Sequence, residues 1–181
     1  MASRGLRAFL LPVAAIALPA HATDYLTVAQ AQTLLFPAAK NFEARPLKLG
    51  EAQRDRIKAA SGVRQRWDEQ KIWRAERDGK LVGWFIVDEV IGKHEFITYA
   101  TGIAPDGSVL GVEVISYRET HGGQIRDAAW RKRFAGKTLA DPFKLDEDVP
   151  NISGATLSCR NVTDGVKRLL AIHKLFLVEA G

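Results

Sequence analysis

The sequence predicts an α+β fold, in which an antiparallel sheet of two hairpins packs with N-terminal and C-terminal helices. Segments in which apolar and polar residues alternate occupy the middle of the chain, and Asp78-Gly79 and Pro105-Asp106-Gly107 divide them into pairs. Before and after this block, the apolar residues follow the helical spacing instead. Helices, then strands, then helices is an element order typical of α+β domains.

Two short helices are predicted ahead of the strands. Thr27 begins a capping box and Pro37 ends the pattern, so the first helix is expected over residues 28–36. The second helix is expected over residues 51–60, where Gly62 supplies a terminating glycine.

Four strands follow. Residues 71–77 and 80–90 flank the turn at Asp78-Gly79, and residues 96–104 and 108–117 flank the second turn. Valine and isoleucine are frequent in the last of these segments, as is usual for strands. Two successive hairpins imply an antiparallel arrangement.

The C-terminal part returns to the helical spacing. Residues 124–134 predict one helix, an irregular stretch follows, and residues 157–178 predict a long last helix. The apolar face of this last helix consists of Val162, Val166, Leu169 and Leu170.

The composition indicates one domain and excludes several functions. The chain has 181 residues, 46% apolar and 26% charged, which suits one globular domain with a sizeable core. Its net charge of +5 is small and dispersed, so no nucleic-acid partner is expected. His94, His121 and His173 are too far apart in sequence for a locally assembled metal site, and catalytic motifs such as G-x-S-x-G are missing. Cys159 is the single cysteine, so an internal disulfide is excluded.

The first 22 residues have the pattern of a secretory signal peptide. Two arginines precede an apolar run over residues 8–18, and Ala20-His21-Ala22 fits an A-x-A cleavage site. The run is shorter than the roughly 20 residues that a helix needs to cross a bilayer. We therefore expect residues 1–22 to be removed and residues 23–181 to form a single exported, periplasmic domain. A segment left uncleaved would act as a membrane anchor.

The segment Ser153-Gly154-Ala155-Thr156 before the last helix carries the main functional signal. Ser153 or Thr156 is expected to cap the helix, whose unsatisfied first-turn N–H groups attract anions. Gly154 and Ala155 add little bulk, so a large planar ligand can approach the backbone, and Ser158 offers another hydroxyl. These residues alone leave two interpretations open, a tightly packed helix cap or a phosphate site.

Residues 152–158, Ile-Ser-Gly-Ala-Thr-Leu-Ser, resemble the flavinylation motif of the FMN-binding domain family. The best-known members of this family are the covalently flavinylated subunits of the sodium-translocating NADH:quinone reductase and of the Rnf electron-transport complex. In that family FMN is joined by a phosphoester bond to the threonine that ends Ser-Gly-Ala-Thr, which here is Thr156. The resemblance implies a cofactor site that also includes Ser153, Gly154, Ala155, Leu157 and Ser158.

Residues 117–139 carry a second match to the same family. They are similar to its E-T-P-G-L-G loop, followed by a helix and an F-x-G-K segment. The residues that match in order are Glu119, Thr120, Gly122 or Gly123, Trp130, Phe134, Gly136 and Lys137. The loop is expected to line the FMN, because its glycines allow a close approach of the backbone. His121 replaces the usual proline and would tune the flavin through its charge state.

The resemblance covers about residues 80–178 and implies an exported electron-transfer flavoprotein with covalent FMN and no catalytic residue of its own. A separate flavin transferase would attach the FMN, and the protein would relay electrons between a membrane-bound reductase and another acceptor. Two alternatives stay open. Pro150 stands where the family has an acidic residue, which favours a flavin-binding or sensory module with non-covalent FMN or none. The other alternative is a small flavin-dependent reductase.

Overall fold

The computed structural model describes residues 23–178, so the expected signal peptide over residues 1–22 lies outside the described residues. The strands of the described part are β1 Thr23–Asp24, β2 Asn41–Ala44, β3 Leu47–Lys48, β4 Glu69–Arg77, β5 Lys80–Ile91, β6 Phe96–Ile103 and β7 Val109–Tyr117. Its α-helices are α1 Val28–Leu35, α2 Glu51–Ser61, α3 Ala128–Arg131 and α4 Thr156–Ile172. Across residues 23–178, no helix is long and apolar enough to cross a membrane.

The strands form one antiparallel sheet in the order β1-β7-β6-β5-β4-β2, and β3 pairs with the first residues of β4. Both predicted hairpins are present, because β4 pairs with β5 and β6 pairs with β7. Asp78 and Gly79 have φ angles of 52° and 75°, as a two-residue hairpin turn requires. The predicted α+β fold with an antiparallel sheet is confirmed.

The sequence did not predict β1, β2 and β3. Each has two to four residues and pairs with a single neighbour. Strands this short contain too few residues to show a period of two. Their pairing with β4 and β7 defines them, and that pairing is a tertiary contact.

The sheet separates two packed layers. On one face Ala31 of α1, and Phe36 directly after this helix, share a buried cluster with Phe85 of β5. On the other face α2 and α4 pack, and Ile57 of α2 joins Ile86 of β5 in the larger core. The apolar residues predicted for the last helix, Val162, Val166, Leu169 and Leu170, are all buried there.

The end signals of the first two helices are confirmed. Thr27 and Gln30 form the capping box of α1, with Gln30 N donating to Thr27 Oγ1 at 3.2 Å and Thr27 N donating to Gln30 Oε1 at 2.8 Å. Gly62, at φ 75°, ends α2.

The helix predicted over residues 124–134 is instead three short pieces. A 3-10 turn over Gly123–Arg126 precedes α3, and another over Lys132–Phe134 follows it. Asp127 between the first two pieces is extended, with φ −63° and ψ 131°, which interrupts the helix. The interruption accompanies burial of Ile125 and Trp130.

The predicted cap of α4 is wrong. Neither Ser153 nor Thr156 is the N-cap, because that position is Ala155, which has no side-chain acceptor, and Thr156 is already helical. Ala155 N donates to Ile152 O at 2.9 Å and closes a turn in which Gly154 has φ 80°. This turn brings a small residue to the cap, where the loop after β7 packs against it. At its other end α4 reaches Ile172, and a π-helical turn over His173–Leu177 follows it directly.

Candidate cofactor site

Thr156 is the first residue of α4, and its side chain is exposed. Within the described part of the chain no side chain caps this helix, so the N–H groups of its first turn can bind an anion at the positive end of the helix dipole. Ser158 and Cys159 lie buried beneath. Burial raises the pKa of the Cys159 thiol, which is therefore a protonated packing residue. The start of α4 thus exposes Thr156, while Ser158 and Cys159 are packed in the interior.

The loop after β7 packs directly on this helix start. Gly122 has φ 84°, and a Cβ there would lie 2.4 Å from Ala155 Cβ, which is too close for any side chain. Tyr117 Oη donates to the carbonyl oxygen of His121 and lies 3.5 Å from Ser158 Oγ. Partial burial raises the pKa of Tyr117, so its hydroxyl stays protonated at neutral pH. These contacts hold the loop against α4.

Glu119 ties the same loop to the turn between β5 and β6, residues 92–95. Its Oε1 accepts hydrogen bonds from His94 N at 2.6 Å and from Glu95 N at 3.0 Å. A Cβ at Gly92 would lie 2.4 Å from that oxygen, so a side chain there would displace the Glu119 carboxylate. Partial burial raises the pKa of Glu119, but the backbone donors outweigh this effect and lower the pKa overall. The carboxylate therefore stays ionised.

The helix start, the loop and the turn enclose one cavity of about 580 Å³, which is within the size range of small-molecule sites. One wall is the start of α4, and the other walls are the loop after β7 and the turn between β5 and β6. The lining residues are Lys93, His94, Glu119, Thr120, His121, Gly154, Ala155, Thr156, Leu157 and Ser158.

Most of the residues expected from the sequence to line the site lie on this cavity, and three do not. Gly122 packs behind Ala155, Gly123 begins a 3-10 turn, and Ser153 lies in the exposed turn before α4. Lys93 and His94 are on the wall but were not expected there. They carry no motif, and only the pairing of β5, β6 and β7 brings their turn beside the loop.

The segment before the turn of Gly154 is fixed by other contacts. Trp130 Nε1 donates to the carbonyl oxygen of Pro150 at 2.8 Å. Asp148, the acidic residue nearest to Pro150 on its N-terminal side, accepts from Lys137 Nζ at 2.7 Å and from Lys144 N at 2.7 Å. Burial raises the pKa of Asp148, but Lys137 and the backbone donors lower it overall. The Asp148 carboxylate therefore stabilises the loop of residues 143–148.

The residues around the cavity fit FMN. Thr156 offers a hydroxyl for the phosphate, and the first-turn N–H groups of α4 offset negative charge. A Cβ at Gly154 would meet nothing within 4 Å, so there is open space beside this residue of the cavity wall. Leu157 is 44% exposed and offers apolar surface, and Lys93 adds positive charge. Between residues 23 and 178, no group of three or more His, Cys, Asp or Glu side chains could hold a metal ion.

Comparison with known families and sequences gives consistent matches. Residues 92–171 match the FMN-binding domain family, and this range contains every residue on the cavity wall. The G subunit of the Na⁺-translocating ferredoxin:NAD⁺ oxidoreductase complex of Acetobacterium woodii is 25% identical over 158 residues, which is 82% of this chain and 73% of that protein. The G subunit of the ion-translocating oxidoreductase complex of Stutzerimonas stutzeri is 28% identical over 111 residues, 55% of this chain and 49% of that protein.

A solved structure shares the fold. It is the C subunit of the Na⁺-translocating NADH-quinone reductase of Parabacteroides distasonis, with a TM-score of 0.53, 18% sequence identity and 86% of each chain covered. At this level of identity the likeness concerns the fold alone.

Proposed function

We propose that the chain is an electron-transfer flavoprotein that carries FMN in a phosphoester bond to Thr156, and the match of residues 92–171 to the FMN-binding domain family supports the cofactor. The observation that carries the proposal is the exposed Thr156 hydroxyl at an uncapped helix start, on the wall of a cavity large enough for a cofactor. The family resemblance of residues 152–158 supports the same residue.

Attachment forms a bond between Thr156 Oγ1 and the phosphorus of a flavin nucleotide. The hydroxyl loses its proton to a base of a separate flavin transferase, and a bond from phosphorus to a leaving group breaks. A flavin dinucleotide suits this step as donor, because its phosphoanhydride releases a nucleoside monophosphate. No electron is gained or lost, and the chain gains the mass of FMN less one water.

The residues of the chain hold and shield the cofactor. The positive end of α4 favours the remaining phosphate charge by about 0.3 to 1 kcal/mol, which is too little to retain a cofactor alone. A covalent bond removes this limit, because an esterified FMN does not dissociate in a compartment that is poor in flavin. Thr120 and His121 close one side of the cavity, and Leu157 offers an apolar contact. Bound FMN supplies one- and two-electron transfer, which none of these side chains provides.

The partner of this protein is a membrane-bound redox protein. Relatives are named as subunits of ion-translocating oxidoreductase complexes, which supports such a partner. The signal-peptide pattern of residues 1–22 supports export. We therefore place the protein outside the cytoplasm, where it relays electrons between a membrane reductase and another acceptor.

In-gel fluorescence after denaturation tests the attachment site. The chain is produced with a flavin transferase, unfolded in detergent and examined for flavin fluorescence beside Thr156→Ala and Ser158→Ala. Wild type and Ser158→Ala are expected to fluoresce, and Thr156→Ala is expected to be dark. Equal fluorescence of all three chains would place the flavin on another residue.

One observation favours non-covalent FMN as the second candidate. Pro150 stands where the family has an acidic residue, and the carboxylate of Asp148 is occupied by Lys137 and backbone donors. If the FMN is non-covalent, the folded protein binds flavin, but denaturation separates all of the flavin from the chain. The same gel would then show no fluorescent band, although the native protein is yellow.

A further inference from the structure

The turn between β5 and β6 contributes Lys93 to the cavity, and its backbone is held there by another residue. Glu119 Oε1 accepts from two N–H groups of the turn and fills the space above Gly92. Glu119 therefore points its carboxylate at the backbone of the turn. Glu119 is on the cavity wall, where the resemblance to the family expects it, and its Oε1 also holds the backbone of the turn.

The loop that contains Glu119 reaches from this turn to the start of α4. Glu119 contacts the turn, and Gly122, three residues later, packs on Ala155 next to Thr156. Three residues span at most roughly 10 Å. Lys93 of the turn and Thr156 of α4 thus line one cavity, and the loop with Thr120 and His121 connects the two elements.

Lys93 is a cation that no side chain of the described residues pairs with. Within residues 23–178, its ammonium group has no hydrogen bond or ion pair. Among the described residues, Glu119 supplies the sole carboxylate on the cavity wall, and its Oε1 is directed at the backbone of the turn. An exposed ammonium group at the rim of a cavity suits a ligand that carries or gains negative charge.

We propose that Lys93 supplies positive charge to the ring of an FMN held at Thr156, and that Glu119 is the positioning residue that keeps Lys93 in place. The inference rests on the proposed function. A phosphate on Thr156 would lie at the start of α4, and a ring system in the rest of the cavity would meet the wall to which Lys93 belongs. Reduction adds negative charge to the ring, and a nearby ammonium group stabilises that charge. Lys93 therefore raises the midpoint potential of the bound flavin.

Spectroelectrochemical titration of the flavinylated protein tests the role of Lys93. In Lys93→Gln, the equilibrium constant for reduction of the bound flavin should fall about three- to tenfold. A tenfold fall lowers the midpoint potential by about 30 mV for a two-electron couple. Lys93→Arg should stay near the wild-type value. Lys80→Gln is the matched control, because Lys80 begins β5 and Lys93 follows its other end, about 35 Å away along the strand.

Two variants of Glu119 separate positioning from a direct charge effect. Glu119→Gln removes the negative charge but keeps an acceptor for the turn, so the potential should stay or rise. Glu119→Ala releases the turn, so the potential should fall as it does in Lys93→Gln. In the Glu119→Ala background, Lys93→Gln should add little, because both changes remove the same contact. A direct charge effect alone would raise the potential in both Glu119 variants.

The outcomes distinguish this inference from the proposed function. A wild-type chain that takes up no FMN, covalent or not, overturns both. A flavin-loaded chain whose potential is the same in Lys93→Gln, Lys80→Gln and wild type overturns the inference alone. Fully additive effects of Lys93→Gln and Glu119→Ala overturn the positioning role of Glu119. Thermal unfolding of each variant shows that a shifted potential comes from a folded chain.

Discussion

Gly122 is the residue through which the loop after β7 contacts the start of α4. Its φ of 84° and the space above it both require glycine, because a Cβ would lie 2.4 Å from Ala155 Cβ and 2.8 Å from Tyr117 Oη. The cavity wall at His121 and the helix start at Thr156 are therefore joined by a contact without a side chain. A larger residue must push one of the two walls away.

Replacing Gly122 by alanine should destabilise the protein. Gly122→Ala combines a left-handed backbone with overpacking, so we expect the free energy of unfolding to fall by about 2 to 4 kcal/mol. Gly136→Ala is the matched control, because Gly136 has φ 78° but a Cβ there meets nothing within 4 Å. It should lose only about 1 kcal/mol. Urea denaturation measures both, and equal losses would show that the packing against Ala155 is not tight.

Asp148 makes a pH-dependent contribution to stability. Burial raises its pKa, but Lys137 and the backbone N–H groups of Phe143 and Lys144 lower it overall. A carboxyl whose pKa is lower in the folded state stabilises the fold above its unfolded pKa, near pH 4, and loses this effect as the pH falls through the folded pKa.

Asp148→Asn should therefore destabilise the protein at pH 7 and matter less in acid. Denaturation of both proteins between about pH 2.5 and 7 measures the difference, which should narrow as the wild-type carboxylate is protonated. A difference that stays constant across this range would mean that the charge of Asp148 contributes nothing and that only its shape matters.

At the scale of elements, α4 is fixed over the sheet by a buried polar cluster. Arg168 of α4 forms an ion pair with Asp88 of β5, and Tyr99 Oη of β6 donates to the same carboxylate at 2.7 Å. A Cβ at Gly165 would lie 2.1 Å from Tyr99 Oη, so this glycine lets the helix lie close to the sheet. Burial raises the pKa of Tyr99 well above its ordinary value, with Asp88 adding to the effect, and the hydroxyl stays a donor.

Removing the cation of this cluster should cost much more than removing a surface cation. Arg168→Met leaves Asp88 buried without its partner, so we expect a loss of about 3 to 5 kcal/mol in the free energy of unfolding. Lys40→Met breaks the exposed pair with Asp78 and should cost about 0 to 1 kcal/mol. Asp88→Leu combined with Arg168→Met should recover part of the loss. A small effect of Arg168→Met in urea denaturation would show that Asp88 does not depend on this pair.

The elements that the sequence predicted correctly are those with local signals. The hairpin turns at Asp78-Gly79 and residues 104–108 and the terminating Gly62 follow from turn chemistry within a few residues. The cap of α4 was wrong, because Ser153 has the local preference but the tertiary contact of Gly122 with Ala155 decides the entry into the helix.

The site was predictable only in part. Residues 153–158 and 119–123 were predicted as a flavin site because they resemble a family. The physical chemistry of Thr156 alone does not distinguish it from a threonine at any other helix start. Lys93 and His94 have neither motif nor local pattern. Their place on the wall follows from the order of β5, β6 and β7 in the sheet, which no spacing in the sequence encodes.

At the scale of the whole molecule, three segments that are distant in sequence meet at one end of the strands. β5 ends and β6 begins at the turn of residues 92–95, and Tyr117 at the end of β7 pairs with Ile97 near the start of β6. α4 starts at this end of the sheet and runs 17 residues, about 26 Å, toward the opposite end of the strands. There His173 packs near Gly107 in the other turn. The cavity thus lies at one end of the sheet, beside the start of α4.

The same arrangement is consistent with a carrier that meets two partners in turn. The cavity opens at one end of the sheet, and Thr156 and Leu157 are exposed at its rim. A tethered cofactor at such a rim is accessible to a donor and then to an acceptor without leaving the protein. Such a relay would depend on the proposed bond at Thr156.

The intact mass of the mature chain, produced with a flavin transferase, shows whether this bond forms. We expect wild type to gain the mass of FMN less one water, and Thr156→Ala to keep the mass of the bare chain. An unmodified wild-type chain, under conditions in which a known substrate of the transferase is fully flavinylated, would rule out the covalent carrier and leave Ser153-Gly154-Ala155-Thr156 as a helix start or a non-covalent phosphate site.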